Sequence, residues 1–594
     1  MLRIAASDIE TNGLYDCDTI WLHGGIEYTL EDGKLTRGEL KHFEPWRGQQ
    51  QKDEAIAWSR SIDLWVGHNF LSFDGPTLNR LLSPDLVDLG RVVDTLIVSR
   101  LLKYDRVVPR GCKSGHSLEA HGYRLGLPKG DFSAFEEYSE EMVTYWKRDL
   151  EIQAKLLEEW WRHISDPEWK KAMRAEHDLQ VNLDQQTVHG FLFDKDKAET
   201  LLSSIEMEMS ALEAEIQEDW PPQLQEVHQI AYKINKDGSE GHHVQKAKQK
   251  YAMTKVDGDK LICYDYVAFN PGSPKDRIQK LWEAGWKPFE KTKTHQEFSR
   301  TKPGQDWGST KRMTKEFWQE KKDHFDYYGW TCSEDNLETL PQSAPAAARK
   351  LAQWLTLEGR RSSLVEWLGQ VKEDGRIHGK VWHIGAWTGR CSHSDPNTAN
   401  ISAVWPHKKE AKTPVDVVKK TYDTAMRSCW KVPDDCWLVG VDAEGIQLRI
   451  LADYLARHFD SYQYVEAIVH GKKEDETDIH NMNRKALGLN HIDRDMSKTF
   501  AYAWILGAGD PKIASILKTE TQTARAAKDQ FERSIEGLYQ LKNQLLPYIA
   551  EKGWFTGYDG RKVVVPNLHK TLAGILQNGE KVVMTHSRLR ADKI

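Results

Sequence analysis

Residues 437–456, WLVGVDAEGIQLRILADYLA, pass from an apolar run into helical periodicity, with an acid at the junction. The pattern predicts a short strand ending at Asp442 and a helix after it. A carboxylate at a strand exit is a usual place for a metal ligand. Downstream, residues 493–510, DRDMSKTFAYAWILGAGD, set Arg494, Lys498 and Tyr502 at i, i+4 and i+8. On a helix these stand in one row of two cations and an aromatic ring, suited to gripping a triphosphate and stacking a base. An arbitrary string of that kind is ordinarily a solvated helical face, so its company decides.

That company begins at the other end of the chain. Residues 1 to about 165 alternate β-branched runs (LWVGHNF, RVVDTLIVSRLL) with helical stretches such as EEMVTYWKRDLEIQAKLLEEWWR, the pattern of an α/β domain around a sheet. In SDIETNGL, Asp8 and Glu10 lie two apart on a strand starting at Leu2 and therefore point to the same side. Asp74 follows the apolar LWV in a turn before a helix, and Tyr145 and Asp149 lie at i and i+4 on one helical face. A DxE string alone reads as an exposed strand edge. Four carboxylates from three elements plus a Tyr hydroxyl are a set that holds two Mg²⁺ or Mn²⁺ ions about 4 Å apart, suited to in-line attack on a phosphodiester.

Composition bounds the rest. At 594 residues the chain holds about three to five domains. With 39% hydrophobic residues, 23 Trp and 20 Tyr, it is no disordered chain. No run approaches a membrane span. Seven scattered cysteines never form CxxC, which points to a reducing cytoplasm and excludes a disulfide framework. A net charge of −7 argues against coating nucleic acid with the whole surface, but leaves room for a basic cleft. Residues 195–217 predict a long charged helix, whereas 218–335 is polar and Lys-rich and reads as insertions and flexible loops over a helical frame.

The N-terminal set resembles the DEDD-type 3′→5′ exonucleases, in the branch whose last motif is Tyr-x-x-x-Asp. The resemblance implies that Asp8, Glu10 and Asp149 bind metal, Asp74 supports the second ion and Tyr145 orients the attacking water. The remaining strings resemble family A DNA polymerases, and among them the replicative polymerases of short-tailed phages. WTGRCSHSDPNTANIS, VGVDAEG, DIHNMNRKAL and DRDMSKTFAYAWILG occur in order, with HSLEAHGYRLG, AFNPGSPKDRIQKLWEAGWKP, EDGRIHG and GYDGRKVVVPNLHKTL. By that resemblance Asp442 is a palm carboxylate binding both catalytic ions. His480, Arg494 and Lys498 bind the triphosphate, and Tyr502 lies beside the incoming base. Arg390 and Gln577 touch the minor-groove edge of the primer–template end.

Three departures stand out. Gln447 occupies a place usually held by Glu, and Leu506 one usually held by Tyr before Gly507. The family's last palm motif, His-Asp-Glu, does not occur in the sequence. Two-metal nucleotidyl transfer needs a second carboxylate. The expectation is therefore the larger part of a split polymerase, completed by a second polypeptide. A stand-alone exonuclease with a vestigial primer–template-binding module, or an inactive product, are the alternatives. The expected architecture is an RNase H-like α/β exonuclease (1–165) and a helical thumb (166–375) with Lys-rich insertions at about 218–268 and 287–330. A partial palm (376–450 and 560–594) and helical fingers (451–559) complete it. The resemblance implies DNA primer–template and dNTPs as partners, Mg²⁺ or Mn²⁺ as cofactor, and host-cell cytoplasm if phage-encoded. In relatives the place of 218–268 can carry a module for a processivity factor; here the short Lys-rich insert carries nothing specific for such a partner, and a DNA-grazing loop or inert surface are the alternatives.

Overall fold

The computed structural model describes residues 1–564 apart from positions 15, 129, 131, 387 and 408. The described chain divides into two compact units. One holds Met1–Asp184, Trp382–Ser392 and the chain from Val439 onward, and the other holds Gln185–Val381 and His393–Leu438.

The first unit opens with a five-stranded sheet. Its strands are β1 (Leu2–Thr11), β2 (Ile20–Glu31), β3 (Lys34–Phe43), β4 (Leu64–Gly67) and β5 (Val92–Asp94), in the order β3-β2-β1-β4-β5. β1 runs antiparallel to β2 and parallel to β4, and β4 is parallel to β5. The central strand is covered on both faces, and Ile4, Ala5 and Ala6 are fully buried, as expected where a strand reads as a continuous apolar run. The helices of this half include α1 (Asp74–Leu81), α2 (Thr95–Leu102), α3 (Glu140–Ile164) and α4 (Lys170–His189).

Helix α3 is specified locally at both ends. The Ser139 hydroxyl accepts the Met142 N–H at 3.1 Å, Glu140 and Glu141 occupy the first turn, and Arg162 and His163 the last. Its buried stripe runs Met142, Trp146, Asp149, Leu150, Gln153, Leu157, so a carboxylate and an amide sit inside an apolar face. Trp146 is wholly buried, worth about 2–3 kcal/mol, and its indole N–H donates to the Asp8 carbonyl at 3.0 Å. Gly24, opposite Asp8 in β2, has φ +153°, and a Cβ there would lie 2.1 Å from the Lys41 carbonyl oxygen and 3.2 Å from the Trp146 ring. Only glycine lets strand, strand and helix approach this closely.

The second unit is framed by α5 (Lys195–Asp219) and a later 25-residue helix, Ala346–Gln370. Its core includes Ile205, Leu212, Ile216, Leu351, Leu355 and Trp367. Between them the structure corrects the expectation of flexible loops. Residues 223–267 fold into a three-stranded antiparallel sheet in the order β6-β8-β7, from β6 (Gln223–Ala231), β7 (Met253–Asp257) and β8 (Lys260–Val267). Helix α6 (His242–Lys250) closes one face over a core of its own: Val244, Ala247, Leu261 and Cys263. The Lys-rich stretch at 287–330 is likewise ordered, with the Phe298 ring 5.2 Å from Trp307, 5.1 Å from Phe325 and 5.9 Å from Trp318. Aliphatic side chains supply the core of the first stretch and aromatic rings that of the second, with the lysines exposed or half-exposed around them.

Back in the first unit, α7 (Ile446–Phe459), α8 (Ile479–Leu487) and α9 (Arg494–Ile505) pack with later helices around Leu455, Tyr464, Phe500, Phe531 and Leu538. A hairpin of β9 (Trp554–Thr556) and β10 (Lys562–Val564) ends the described chain, where GYDGRKVVV predicts one. A second correction concerns 437–443, which forms no strand. Trp437 is 91% and Val441 93% exposed, with Leu438 and Val439 exposed between them. The apolar run predicts a strand, but a strand exists only through hydrogen bonds to a neighbour, and none of the named strands pairs with this segment.

Candidate active sites

The acidic set assembles from three elements. One carboxylate oxygen each from Asp8 and Glu10 on β1 and Asp149 on α3 lie within 4.8 Å of one another. All donors are oxygen, the chemistry of a hard divalent cation. Glu10 and Asp149 are buried and Asp8 half-buried, so three acids gather where water screens their repulsion poorly. Asp74, the first residue of α1, is 4% exposed, and its Oδ1 accepts the Ile9 N–H at 3.0 Å. Burial, with the Asp8 carboxylate second, holds the Asp74 carboxyl well above its ordinary range. A cation would relieve that cost, so the residues fit the expected metal. Tyr145 stands one turn before Asp149, against the Phe132 and Phe135 rings at 5.6 and 6.0 Å.

Two supporting residues escape a reading of the sequence. Gln153, fully buried one turn beyond Asp149, donates its amide to Asp8 Oδ1 at 3.1 Å. Asp94, at the end of β5, organises the loop that leads into Asp74. Its carboxylate accepts the N–H groups of Asn69 (2.9 Å), Leu71 (3.1 Å) and Leu96 (2.9 Å). Burial raises its pKa, and those backbone donors pull the other way. The i, i+4 spacing of Gln153 from Asp149 was a usable signal, whereas the Asp94 link spans 25 residues and has none.

The second constellation is carried by α8 and α9. Asp478 caps α8 and accepts from Arg494 through Nε at 3.0 Å and Nη2 at 2.6 Å. Burial works to raise the Asp478 pKa, but the hydrogen bonds from Arg494 and Asn481 outweigh it and hold the carboxyl below its ordinary range. The Ser497 hydroxyl donates to the His480 carbonyl at 2.7 Å and binds the two helices together. The His480 ring lies 6.3 Å from that of Tyr502. Burial, then the nearby Arg494, lowers the His480 pKa, and its Nδ1 is buried with no hydrogen-bond partner among the described residues. Lys498 is exposed between Arg494 and Tyr502 on α9. An imidazole, a guanidinium, an ammonium and a ring thus share one side of the helix pair, as the row predicts.

The other expected site residues are less gathered. Asp442 is exposed and follows the irregular segment, Gln447 is half-buried in the first turn of α7, and Leu506 is exposed at the end of α9. Arg390 is exposed, and its carbonyl accepts the Ala386 N–H at 3.1 Å in a tight turn. Gln577, and the palm segment beyond 564, lie outside the described residues. No described helix is long and apolar enough to cross a membrane.

Comparison with known proteins adds the family. The DNA-directed DNA polymerases of enterobacteria phage T3 and Escherichia phage T7 are each 27% identical to this chain, over 97% of it and 88% of their own length. The fold is similar to a solved structure described as the POL domain of Pol1 from M. smegmatis in complex with DNA primer-template and dNTP. The TM-score is 0.57 at 16% identity, covering all of this chain and 81% of that one. The family profile matches residues 273–584, more than half of the chain and the whole of the α7–α9 constellation, and on that match the chain belongs to DNA polymerase family A.

Proposed function

We propose that the chain performs template-directed DNA synthesis with 3′→5′ proofreading, as part of phage DNA replication in the host cytoplasm. The observation that carries the synthetic half is the joint placement of His480, Arg494 and Tyr502 on two locked helices within the family match. The proofreading half rests on the Asp8–Glu10–Asp149 cluster, in a sheet whose order and strand directions support an RNase H-like reading.

In the polymerase site Arg494 and Lys498 neutralise the triphosphate, the unsatisfied Nδ1 of His480 meets a phosphate oxygen, and Tyr502 offers its ring to the base. Asp442 is the palm carboxylate. Arg390 and Gln577 test base-pair geometry through minor-groove acceptors, which vary little among correct pairs. In the nuclease site Asp8, Glu10 and Asp149 would hold one divalent ion and Asp74 would help hold a second. When bound, such ions polarise the phosphodiester and acidify water. Tyr145 positions that water and Gln153 fixes the Asp8 carboxylate. Synthesis needs a second palm carboxylate, which we propose a polypeptide bearing His-Asp-Glu supplies.

Primer extension by this chain with a candidate polypeptide bearing His-Asp-Glu, absent from either alone, is the expected result. No complex and no synthesis would reject it. Hydrolysis of 3′ ends that requires Mg²⁺ or Mn²⁺ and disappears in Asp8→Ala/Glu10→Ala is expected of the nuclease. A second reading, an exonuclease with a vestigial polymerase module, is favoured by the exposure of the segment before Asp442. It predicts hydrolysis without synthesis under any complementation. A third reading makes 218–268 a docking place for a processivity partner, against a DNA-grazing loop or inert surface. Shorter extension products after removing 223–267 would support it, and unchanged product length would remove it.

A further inference from the structure

Helix α4 touches the nuclease loop, the segment carrying Arg390 and the terminal hairpin at three successive levels. Ser72, two residues before Asp74, donates its hydroxyl to Asp184 Oδ2 at 2.8 Å. Gln180, one turn earlier on α4, donates from Nε2 to Asp184 Oδ1 at 2.9 Å and to the Ser72 oxygen at 3.2 Å. The carboxylate fixes which end of the amide is nitrogen, so Gln180 Oε1 faces His383, whose Nδ1 lies 2.6 Å away. His383 Nδ1 therefore carries the hydrogen. Burial lowers its pKa to about 3, so the ring is neutral and its tautomer is set by this bond. The Arg100 guanidinium holds the His383 carbonyl at 3.1 Å. One turn before Gln180, His177 Nε2 accepts the Asp94 N–H at 2.8 Å, and Asp94 in turn holds the loop at Asn69 and Leu71. At the next level Glu176 accepts from Arg561 of the β9–β10 hairpin at 2.6 Å.

The residues involved are buried or nearly so: His383 is 1%, Gln180 9% and His177 7% exposed. A run of buried polar groups costs stability, the more so because His383 Nε2 finds no hydrogen-bond partner among the described residues, and here the run joins two segments some three hundred residues apart in sequence. We propose that Gln180 is a positioning residue that fixes the Ser72–Asp74 loop and ties it to the segment bearing Arg390, so that displacement of that segment loosens the nuclease metal site. The inference rests on the nuclease reading above and adds to it a mechanical link between the two activities. Helix α4 is the strut, and the His383–Gln180–Ser72 chain is the joint.

The test uses the full chain and Mn²⁺ alone as probe, read by calorimetric or spin-resonance titration beside hydrolysis of single-stranded 3′ ends. Gln180→Met should raise the Mn²⁺ midpoint by on the order of tenfold, the lower end of what outer-shell partners are worth. His383→Phe, at the far end of the chain, should raise it too. The double variant should be no worse than Gln180→Met alone, because both cut one link. Unchanged midpoints in variants that keep the wild-type melting profile, or effects that multiply, overturn the proposal. If Gln180→Met does not fold, Ser72→Ala decides by the same criterion. Mn²⁺ binding without wild-type hydrolysis rejects the nuclease while the binding midpoints still judge the link. A wild type that neither binds nor hydrolyses rejects both.

Discussion

Replacing Asp94 tests how the nuclease loop is held. Its Oδ1 accepts from Asn69 and Leu96 and its Oδ2 from Leu71. In Asp94→Asn one oxygen remains for the first two donors, while the new amide nitrogen faces the Leu71 N–H, so one bond of three is lost. An orphaned buried N–H costs about 1–3 kcal/mol, which sets the expectation for Asn. Asp94→Ala orphans all three. Part of that cost returns because a buried carboxylate, whose pKa burial raises, no longer has to be kept ionised, leaving about 3–5 kcal/mol. Amide hydrogen exchange reads this residue by residue. In Asn the Leu71 amide alone should lose about tenfold or more of its protection. In Ala the amides of Asn69, Leu71 and Leu96 should all lose about a hundredfold or more. Hydrolysis of 3′ ends should fall in the same order, because the loop ends at Asp74. Wild-type protection at Leu71 in the Ala variant, or an Asn variant as damaged as Ala, would refute the reasoning.

Other expectations follow from separate features. Asp478 is held below its ordinary pKa in the folded chain, so its contribution is present above the unfolded-state value and is lost as pH falls through the lower folded one. Asp478→Asn should flatten the acid limb of the melting profile there and raise the KM for dNTP by releasing Arg494, as steady-state extension with the completed polymerase would read. Gly25→Ala places a Cβ 2.5 Å from the Ala6 carbonyl in the central strand pair, which should cost about 2 kcal/mol or more and lower the melting temperature of the unit. Excising 223–267 should leave the remainder of its unit folded, because that sheet has its own core. Circular dichroism losing only the signal of this sheet and of the nine-residue helix α6 is the check.

Part of the acidic set was legible from periodicity: alternation on β1 aligns Asp8 with Glu10, and i, i+4 aligns Tyr145 with Asp149, while the resemblance to a known family grouped the separate elements. The α9 row was legible for the same reason. What holds those side chains was not, since Asp94 reaches Asn69 and Gln180 reaches His383 across sequence distances that no local pattern encodes. The Lys-rich insert misled because charge density hid a real alternation. Leu261 and Cys263 are buried in β8 while Tyr264 and Tyr266 lie on the other face. The converse error came at 437–441, where local propensity is correct for a strand and the pairing that would realise it is not made by the described strands.

That segment also offers an optical handle. An indole as exposed as Trp437 emits at long wavelength and is open to collisional quenching, and it stands five residues before Asp442, the proposed palm carboxylate. Subtracting the spectrum of Trp437→Phe isolates it from the other tryptophans. A blue shift and loss of acrylamide quenching would then time the completion of the polymerase site in solution, before any nucleotide is added.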